Sequence, residues 1–150
     1  MIALINFGNI FSSSSKFLVM KYVLLIGRIL FSLLFIFASF ANLLSGKADA
    51  YATSMGLPAA NFLVPFAGFV ALVGALMVLT GFKAKLGGWL IVIFLVPVTL
   101  IFHNFWSIAD PQQKQEQMLH FVTNFSLIGA ALIIAYFGSG PLSISNSTKA

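Results

Sequence analysis

The sequence predicts an all-α membrane protein with a bundle of four transmembrane helices, and three observations support that prediction. The chain has 150 residues, of which 60% are hydrophobic and only 7% are charged. Its mean hydropathy is +1.04, so a soluble globule of this size could not hide its apolar surface from water. Four apolar segments of about 20 residues, each long enough to cross roughly 30 Å of hydrocarbon, fill most of the chain. No room remains for a soluble catalytic domain.

The four predicted spans are separated by short breaks. The first covers about residues 22–44 and contains one charged side chain, Arg28. The second covers about 58–80, the third about 86–108 and the fourth about 111–137. At 1.5 Å per residue the fourth is roughly 40 Å long. Its polar first turns are therefore expected to stand above the hydrocarbon or to bend over the mouth of the bundle.

Two of the breaks carry recognisable helix signals. Asp110 stands where an N-cap is expected, with Pro111 at the first helical position and Gln113 at the capping-box position. The fourth helix should therefore begin in the polar run PQQKQEQ. Between the first two spans, Gly56 and Pro58 act as stop signals, which predicts a short interfacial helix on the outer surface.

Residues 1–19 precede the predicted four-helix domain, which we place at 20–144, with 145–150 as a cytoplasmic tail. The stretch MIALINFGNIF is too short to span a membrane, and the serine run after it should break it before Lys16. Two interpretations stay open for this extension. Met20 could be the true start of the protein, or residues 1–19 could serve as an interfacial anchor or a partner-docking segment.

The basic residues predict the orientation of the helices. Two lysines and all three acidic residues fall on one side of the predicted membrane. Five lysines fall on the other side, which the positive-inside rule assigns to the cytoplasm. Both termini are then cytoplasmic, in a bacterial inner membrane. The five lysines are Lys16, Lys21, Lys83, Lys85 and Lys149.

Several polar side chains collect at the outer ends of the predicted helices. Because residues three or four apart share a helix face, His103 should lie beside Trp106, and His120 beside Asn124. A bundle would bring these faces together as a polar vestibule that opens outward. The candidate ligand-binding residues are Phe102, His103, Asn104, Trp106, His120, Asn124 and Asn42.

Each candidate has a simpler structural role. His103 and Asn124 could join two helices by a hydrogen bond worth only about 0.6 to 2 kcal/mol, and Trp106 could be an interfacial belt aromatic. His120 could be solvated. The two histidines lack a carboxylate pair and a familiar ligand motif, so no metal site is predicted. The chain has no cysteine, which excludes disulfides and thiolate chemistry.

Arg28 is the one charge in the apolar parts of the predicted spans, about six residues from the cytoplasmic end of the first. Its long side chain could snorkel to the inner headgroups. The alternative is a fixed anion, either a lipid phosphate or a carboxylate of another subunit, because the apolar parts of the predicted spans contain no acid. Arg28 is therefore a candidate anion or partner site.

Four segments resemble the DoxX-like family of small membrane proteins. IGRILFSLLFIFASFANL is similar to the family's first helix, LTGFKAKLGGWL to its basic turn, IFHNFW to the end of its third helix, and FVTNFSLIGAALIIA with GSGPLSI to its fourth helix and tail. The resemblance covers about residues 20–144. The chain departs from it at Asn42 and Thr123, where relatives often carry lysine, so a mechanism that uses those lysines is not implied here.

The resemblance implies a four-helix bundle, found in some members as the membrane subunit of thiosulfate:quinone oxidoreductase. It favours an accessory inner-membrane subunit, not catalytic by itself, with an outward polar pocket that contacts quinone or lipid. A second hypothesis is a subunit of a quinone-linked oxidoreductase, in which His103 bonds a quinone carbonyl and Trp106 and Phe102 line the ring site. A third is a scaffold or carrier for a protein or lipid partner. The expected partners are the bilayer and another subunit or a second copy, with no nucleic acid.

Overall fold

The computed structural model describes residues 13–44 and 46–147, with side chains described for residues 19–44 and 46–145. Within this part of the chain all regular structure is helical, as the sequence predicted. A 3₁₀ turn, Phe105–Ser107, lies between the third and fourth spans. The α-helices are α1 (Ser13–Leu44), α2 (Lys47–Ser54), α3 (Ala60–Thr80), α4 (Ala84–Phe102), α5 (Pro111–Phe137) and α6 (Ile144–Ser147).

Four of the described helical segments are long and apolar enough to cross a membrane, which confirms the predicted class. The protein therefore belongs in a lipid bilayer, and large apolar side chains such as Leu30, Phe37 and Ile133 remain exposed on the outside of the bundle. The predicted short helix between the first two spans is present as α2. The four segments are Val19–Leu44, Ala60–Thr80, Ala84–Ser107 and Pro111–Phe137.

The fourth span has the bounds that the sequence predicted. Asp110 caps α5, because its Oδ1 accepts a hydrogen bond of 2.8 Å from the backbone N–H of Gln113. Pro111 occupies the first turn, where its missing N–H has no intrahelical partner to lose. The helix ends at Phe137, and the next residue, Gly138, has a φ of 83°, which suits a residue without a side chain.

Two boundaries differ from the prediction. The helix that contains the first span is described from Ser13 onward, ahead of the predicted start at about residue 22, and the stretch MIALINFGNIF lies outside the described residues. Serine costs a helix only a few tenths of a kcal/mol, roughly, which an apolar continuation outweighs. The helix of the third span, α4, ends at Phe102 instead of residue 108, because the backbone leaves helical geometry at His103 (ψ 38°) and Asn104 (ψ 62°).

The spanning helices pack in the order α1, α3, α4, α5, and α2 lies mainly on α3. The bundle therefore has two ends, which we name by the segments that lie there. The loop end carries α2 and His103. The tail end carries the turn between α3 and α4 and the residues that follow α5. Between them lies a core from all four helices, formed by Phe35, Ala71, Ala75, Ile91, Phe94, Leu95 and Ala131.

Adjacent glycines in α4 bring that helix against both of its neighbours. A Cβ on Gly87 would lie 2.8 Å from the carbonyl oxygen of Gly74 in α3. A Cβ on Gly88 would lie 2.7 Å from the carbonyl oxygen of Ala131 and 2.8 Å from the backbone nitrogen of Ala135, both in α5. Small residues allow this backbone contact, which is how helices in lipid gain packing energy.

Replacing Gly88 tests this contact. The new methyl group of Gly88→Ala would meet α5 backbone that cannot rotate away, so we expect a loss of about 1–3 kcal/mol in the free energy of unfolding. Gly129→Ala is the matched control, because a Cβ there meets nothing within 4 Å. Denaturant unfolding in detergent measures both variants. Equal stability of the two would contradict the close packing of α4 on α5.

Candidate functional site

Two histidines meet at the loop end and are joined to a glutamine. His103, just beyond the end of α4, lies with its Nδ1 2.7 Å from Oε1 of Gln117 in α5. The rings of His103 and His120 stack with centroids 5.3 Å apart and planes 28° apart. His103 is half-buried and His120 is exposed. We name Gln117, His103 and His120 the histidine cluster.

The hydrogen bond to Gln117 determines which ring nitrogen of His103 is free. An amide oxygen can only accept, so Nδ1 of His103 carries the proton in this geometry. In a neutral imidazole the other nitrogen, Nε2, is then a hydrogen-bond acceptor. The histidine cluster thus offers an acceptor to a hydroxyl group when His103 is neutral, and a donor to a carbonyl group only when it is protonated.

An aromatic group stands beside the histidine cluster. Phe105 and Trp106 in the 3₁₀ turn pack edge-to-face against Phe121 in α5, at centroid distances of 5.4 and 5.8 Å. Phe121 in turn stacks with Phe125 at 5.6 Å. Trp106 remains 56% exposed. The predicted pairing of His103 and Trp106 on one helix face is wrong, because the helix ends before both residues.

The other candidate residues do not all join the histidine cluster. Phe102 contacts Tyr51 of α2, with ring centroids 6.0 Å apart. Asn42 is half-buried at the crossing of α1 and α3, where its Cβ lies 3.3 Å from the Cβ position of Gly68. Asn104 and Asn124 are half-buried. Within the described residues no hydrogen bond joins His103 to Asn124, so the partner of His103 is Gln117 instead.

Sequence reasoning missed Gln117 although a signal was present. Gln117, His120 and Asn124 are spaced three and four residues apart, which places them on one face of α5. It also missed Asp49 in α2, whose Oδ1 is buried without a partner among the described residues.

The described part of the chain does not bring together three histidine, cysteine or acidic side chains that could hold a metal ion. The two histidines alone fall short of a typical protein metal site.

Arg28 lies at the tail end, and only 5% of its surface is exposed. Its Nη2 donates to the carbonyl oxygens of Leu142 (2.5 Å) and Pro141 (3.5 Å) in the segment after α5. The Arg28 side chain is therefore covered by this segment. Its Nε and Nη1 are buried without a partner among the described residues. Among the described residues the guanidinium contacts backbone carbonyl groups and no carboxylate, so its charge has no counter-ion and it stays a candidate site for an anion or a partner subunit.

Gly81 holds the segment of residues 138–145, which we call the tail, against Arg28. Its φ of 72° favours glycine, and a Cβ there would overlap the guanidinium of Arg28 and the side chain of Ser143. Its carbonyl oxygen accepts hydrogen bonds from Ser139 Oγ at 2.6 Å and Ser145 Oγ at 2.9 Å. The tail is thus fastened to the turn between α3 and α4 on one side and to α1 on the other.

Arg28→Leu tests this attachment. Ser143 belongs to the tail and is almost completely buried, and the chain has no cysteine, so Ser143→Cys supplies a single protected thiol. Losing hydrogen bonds to a charged group, worth about 1.5–3 kcal/mol, should speed maleimide labelling of that thiol by roughly tenfold or more. Lys21→Leu is the control, since it removes a charge two turns away on the same helix. Equal labelling rates in both backgrounds would mean that Arg28 does not hold the tail.

Comparison with known proteins agrees with this architecture. The family model described as DoxX matches residues 23–104, more than half of the chain. The chain is also 26% identical over 123 residues to the inner membrane protein YphA of Escherichia coli (strain K12), which covers 81% of this chain and 87% of that protein. No solved structure matches significantly. The matched residues hold the buried arginine, the paired glycines of α4 and the histidine that follows it, and the chain belongs to the DoxX family.

Proposed function

We propose that this chain is an accessory subunit of the bacterial inner membrane that binds the polar head of a membrane-soluble ligand at its loop end. The observation that carries the proposal is the histidine cluster, in which Gln117 orients the His103 ring beside His120. Polar side chains within a bilayer are costly unless they meet a partner or a wet cavity. A ligand head group would use the free nitrogen of His103.

The chemistry of the cluster favours a ligand with a hydroxyl group and a flat ring. Nε2 of a neutral His103 accepts a hydrogen bond, as the hydroxyl of a quinol requires. The half-exposed face of Trp106 and the neighbouring Phe121 offer stacking surfaces for an aromatic ring. A quinol is therefore the ligand class that we propose. A glycerol-containing lipid head group shares the hydroxyl but not the ring.

Membership of a quinone-linked oxidoreductase is the second candidate function. The tautomer of His103 supports it, because a ring that accepts from a quinol when neutral can donate to the quinone carbonyl when protonated. This chain would then position the quinol ring, and a partner subunit would supply the electron-transfer centre. Phe102, fixed by Tyr51, would close the ring site from the side of α2.

Tryptophan fluorescence tests the ligand. The chain has two tryptophans, so Trp89→Phe leaves Trp106 as the single reporter at the loop end. A short-chain ubiquinol should quench Trp106 saturably, and His103→Ala should weaken its binding by roughly tenfold, the loss expected for a hydrogen bond worth about 1.4 kcal/mol. Thr123→Ala, at an exposed site of α5, should leave binding unchanged. Linear, unsaturable quenching in every variant would contradict the proposed function.

A double-mutant cycle separates ligand binding from helix pairing. If the bond between His103 and Gln117 stabilises the bundle, each alanine substitution should cost about 0.6–2 kcal/mol, and the double mutant should cost less than their sum. The pair His103→Ala and Asn124→Ala is the control, and its effects should add. Mass spectrometry of the same preparations shows which variants keep a co-purifying molecule. If His103→Ala kept all of the co-purifying ligand, the histidine cluster would serve only as a contact between helices.

We further propose that both termini face the cytoplasm, from the distribution of lysines and acids. A reporter fused after Ala150 should then be active only in the cytoplasm, and one inserted between Lys47 and Met55 only outside. The reversed pattern would move the histidine cluster to the cytoplasmic face.

A further inference from the structure

A groove lies between α4 and α5 at the tail end, away from the histidine cluster. Its volume is about 660 Å³, within the roughly 300–1,000 Å³ of typical ligand sites. One wall comes from the first turns of α4 and the other from the last turns of α5. The lining residues are Lys85, Trp89, Leu132, Ala135, Tyr136 and Phe137.

The groove follows from how closely the two helices approach. Gly88 meets the α5 backbone at Ala131 and Ala135, so the helix axes are pinned together at the floor. Larger side chains on either side, Trp89 and Tyr136, then stand out as walls. These two residues stay half-exposed or more, and Tyr136 packs edge-to-face on Phe137 at 4.9 Å. The groove is thus a mainly apolar channel that is open to lipid.

A lysine stands at the mouth of this channel. Its aliphatic stem lies over Gly138, where a Cβ would be 3.3 Å from Cγ and 3.2 Å from Cε of Lys85. The glycine that ends α5 therefore makes room for the lysine stem. No ion pair is formed by Lys85 within the described residues, and the acids Asp49, Asp110 and Glu116 belong to the loop end. Lys85 thus presents an uncompensated positive charge at headgroup depth.

The order of these features matches one class of ligand. A cation at the level of the membrane surface, aromatic side chains just below it and an apolar channel behind them correspond to the phosphate, glycerol and acyl chain of a phospholipid. A helix of another protein would not require the lysine, and a quinol ring would not use it. An anionic headgroup would use the lysine, because a lysine near the membrane surface attracts acidic lipid.

We propose that this groove binds an anionic glycerophospholipid, with its phosphate at Lys85 and one acyl chain along Trp89 and Leu132. With the termini in the cytoplasm, the lipid belongs to the inner leaflet. The neighbouring Lys83 takes no part, since its Nζ lies 5.5 Å from the ring centroid of Phe82, outside the groove.

Brominated lipids test the site directly, because they quench tryptophan only at contact. Trp106→Phe leaves Trp89, in the groove wall, as the single reporter. The protein is reconstituted into phosphatidylcholine nanodiscs that contain a tenth of dibrominated phosphatidylglycerol or, in parallel, of dibrominated phosphatidylcholine. We expect phosphatidylglycerol to be preferred about fivefold at Trp89, the factor that one lysine near the membrane surface supplies.

Lys85→Gln should reduce that preference to about one, and Lys83→Gln, which removes the same charge two residues away, should leave it near fivefold. Quenching by the two lipids in equal measure in the parent protein would overturn the proposal. So would an equal fall in both lysine variants, since the preference would then come from the whole basic surface. Nanodiscs expose both leaflets, so the result does not depend on orientation. Trp89 lies at the tail end, away from the histidine cluster, so the result does not depend on the loop-end ligand either.

Discussion

Contact between helix backbones at glycines is the interaction on which the rest of this structure depends. In lipid, apolar side chains gain little by leaving the hydrocarbon, so helices associate through close packing. Gly68 meets α1 beside Asn42, Gly74 meets Gly87, and Gly88 meets α5. These contacts join the spanning helices in the order α1, α3, α4, α5. They also leave the large side chains free to face lipid.

The same contacts position both ends of the bundle. At the loop end, the approach of α4 to α5 brings His103 within hydrogen-bond distance of Gln117. At the tail end it forms the floor of the groove beside Lys85. Arg28 adds a second constraint there, because a buried guanidinium must find acceptors, and the carbonyls of Pro141 and Leu142 provide them. The tail therefore supplies acceptors for one nitrogen of the guanidinium, while Nε and Nη1 stay without a partner among the described residues.

The sequence was sufficient for features that depend on local chemistry. Apolar length predicted the spans, and the cap at Asp110 predicted the start of α5. It was insufficient where distant segments meet. The end of α4 at Phe102 has no glycine or proline to mark it, and Gln117 gained its importance only from its position opposite His103. The burial of Arg28 depends on residues more than a hundred positions later, which no local pattern indicates.

The contact between α1 and α3 allows the most direct measurement of the central claim. The Cβ of Asn42 and the Cβ position of Gly68 are 3.3 Å apart, close to the roughly 3.5–4.5 Å that a disulfide spans. In this cysteine-free chain, Asn42→Cys with Gly68→Cys should cross-link on mild oxidation in native membranes. After cleavage at a protease site inserted at Gly56, the disulfide should keep the two fragments joined until a reductant is added. Fragments that separate without reductant would contradict a bundle held by backbone contact at glycines.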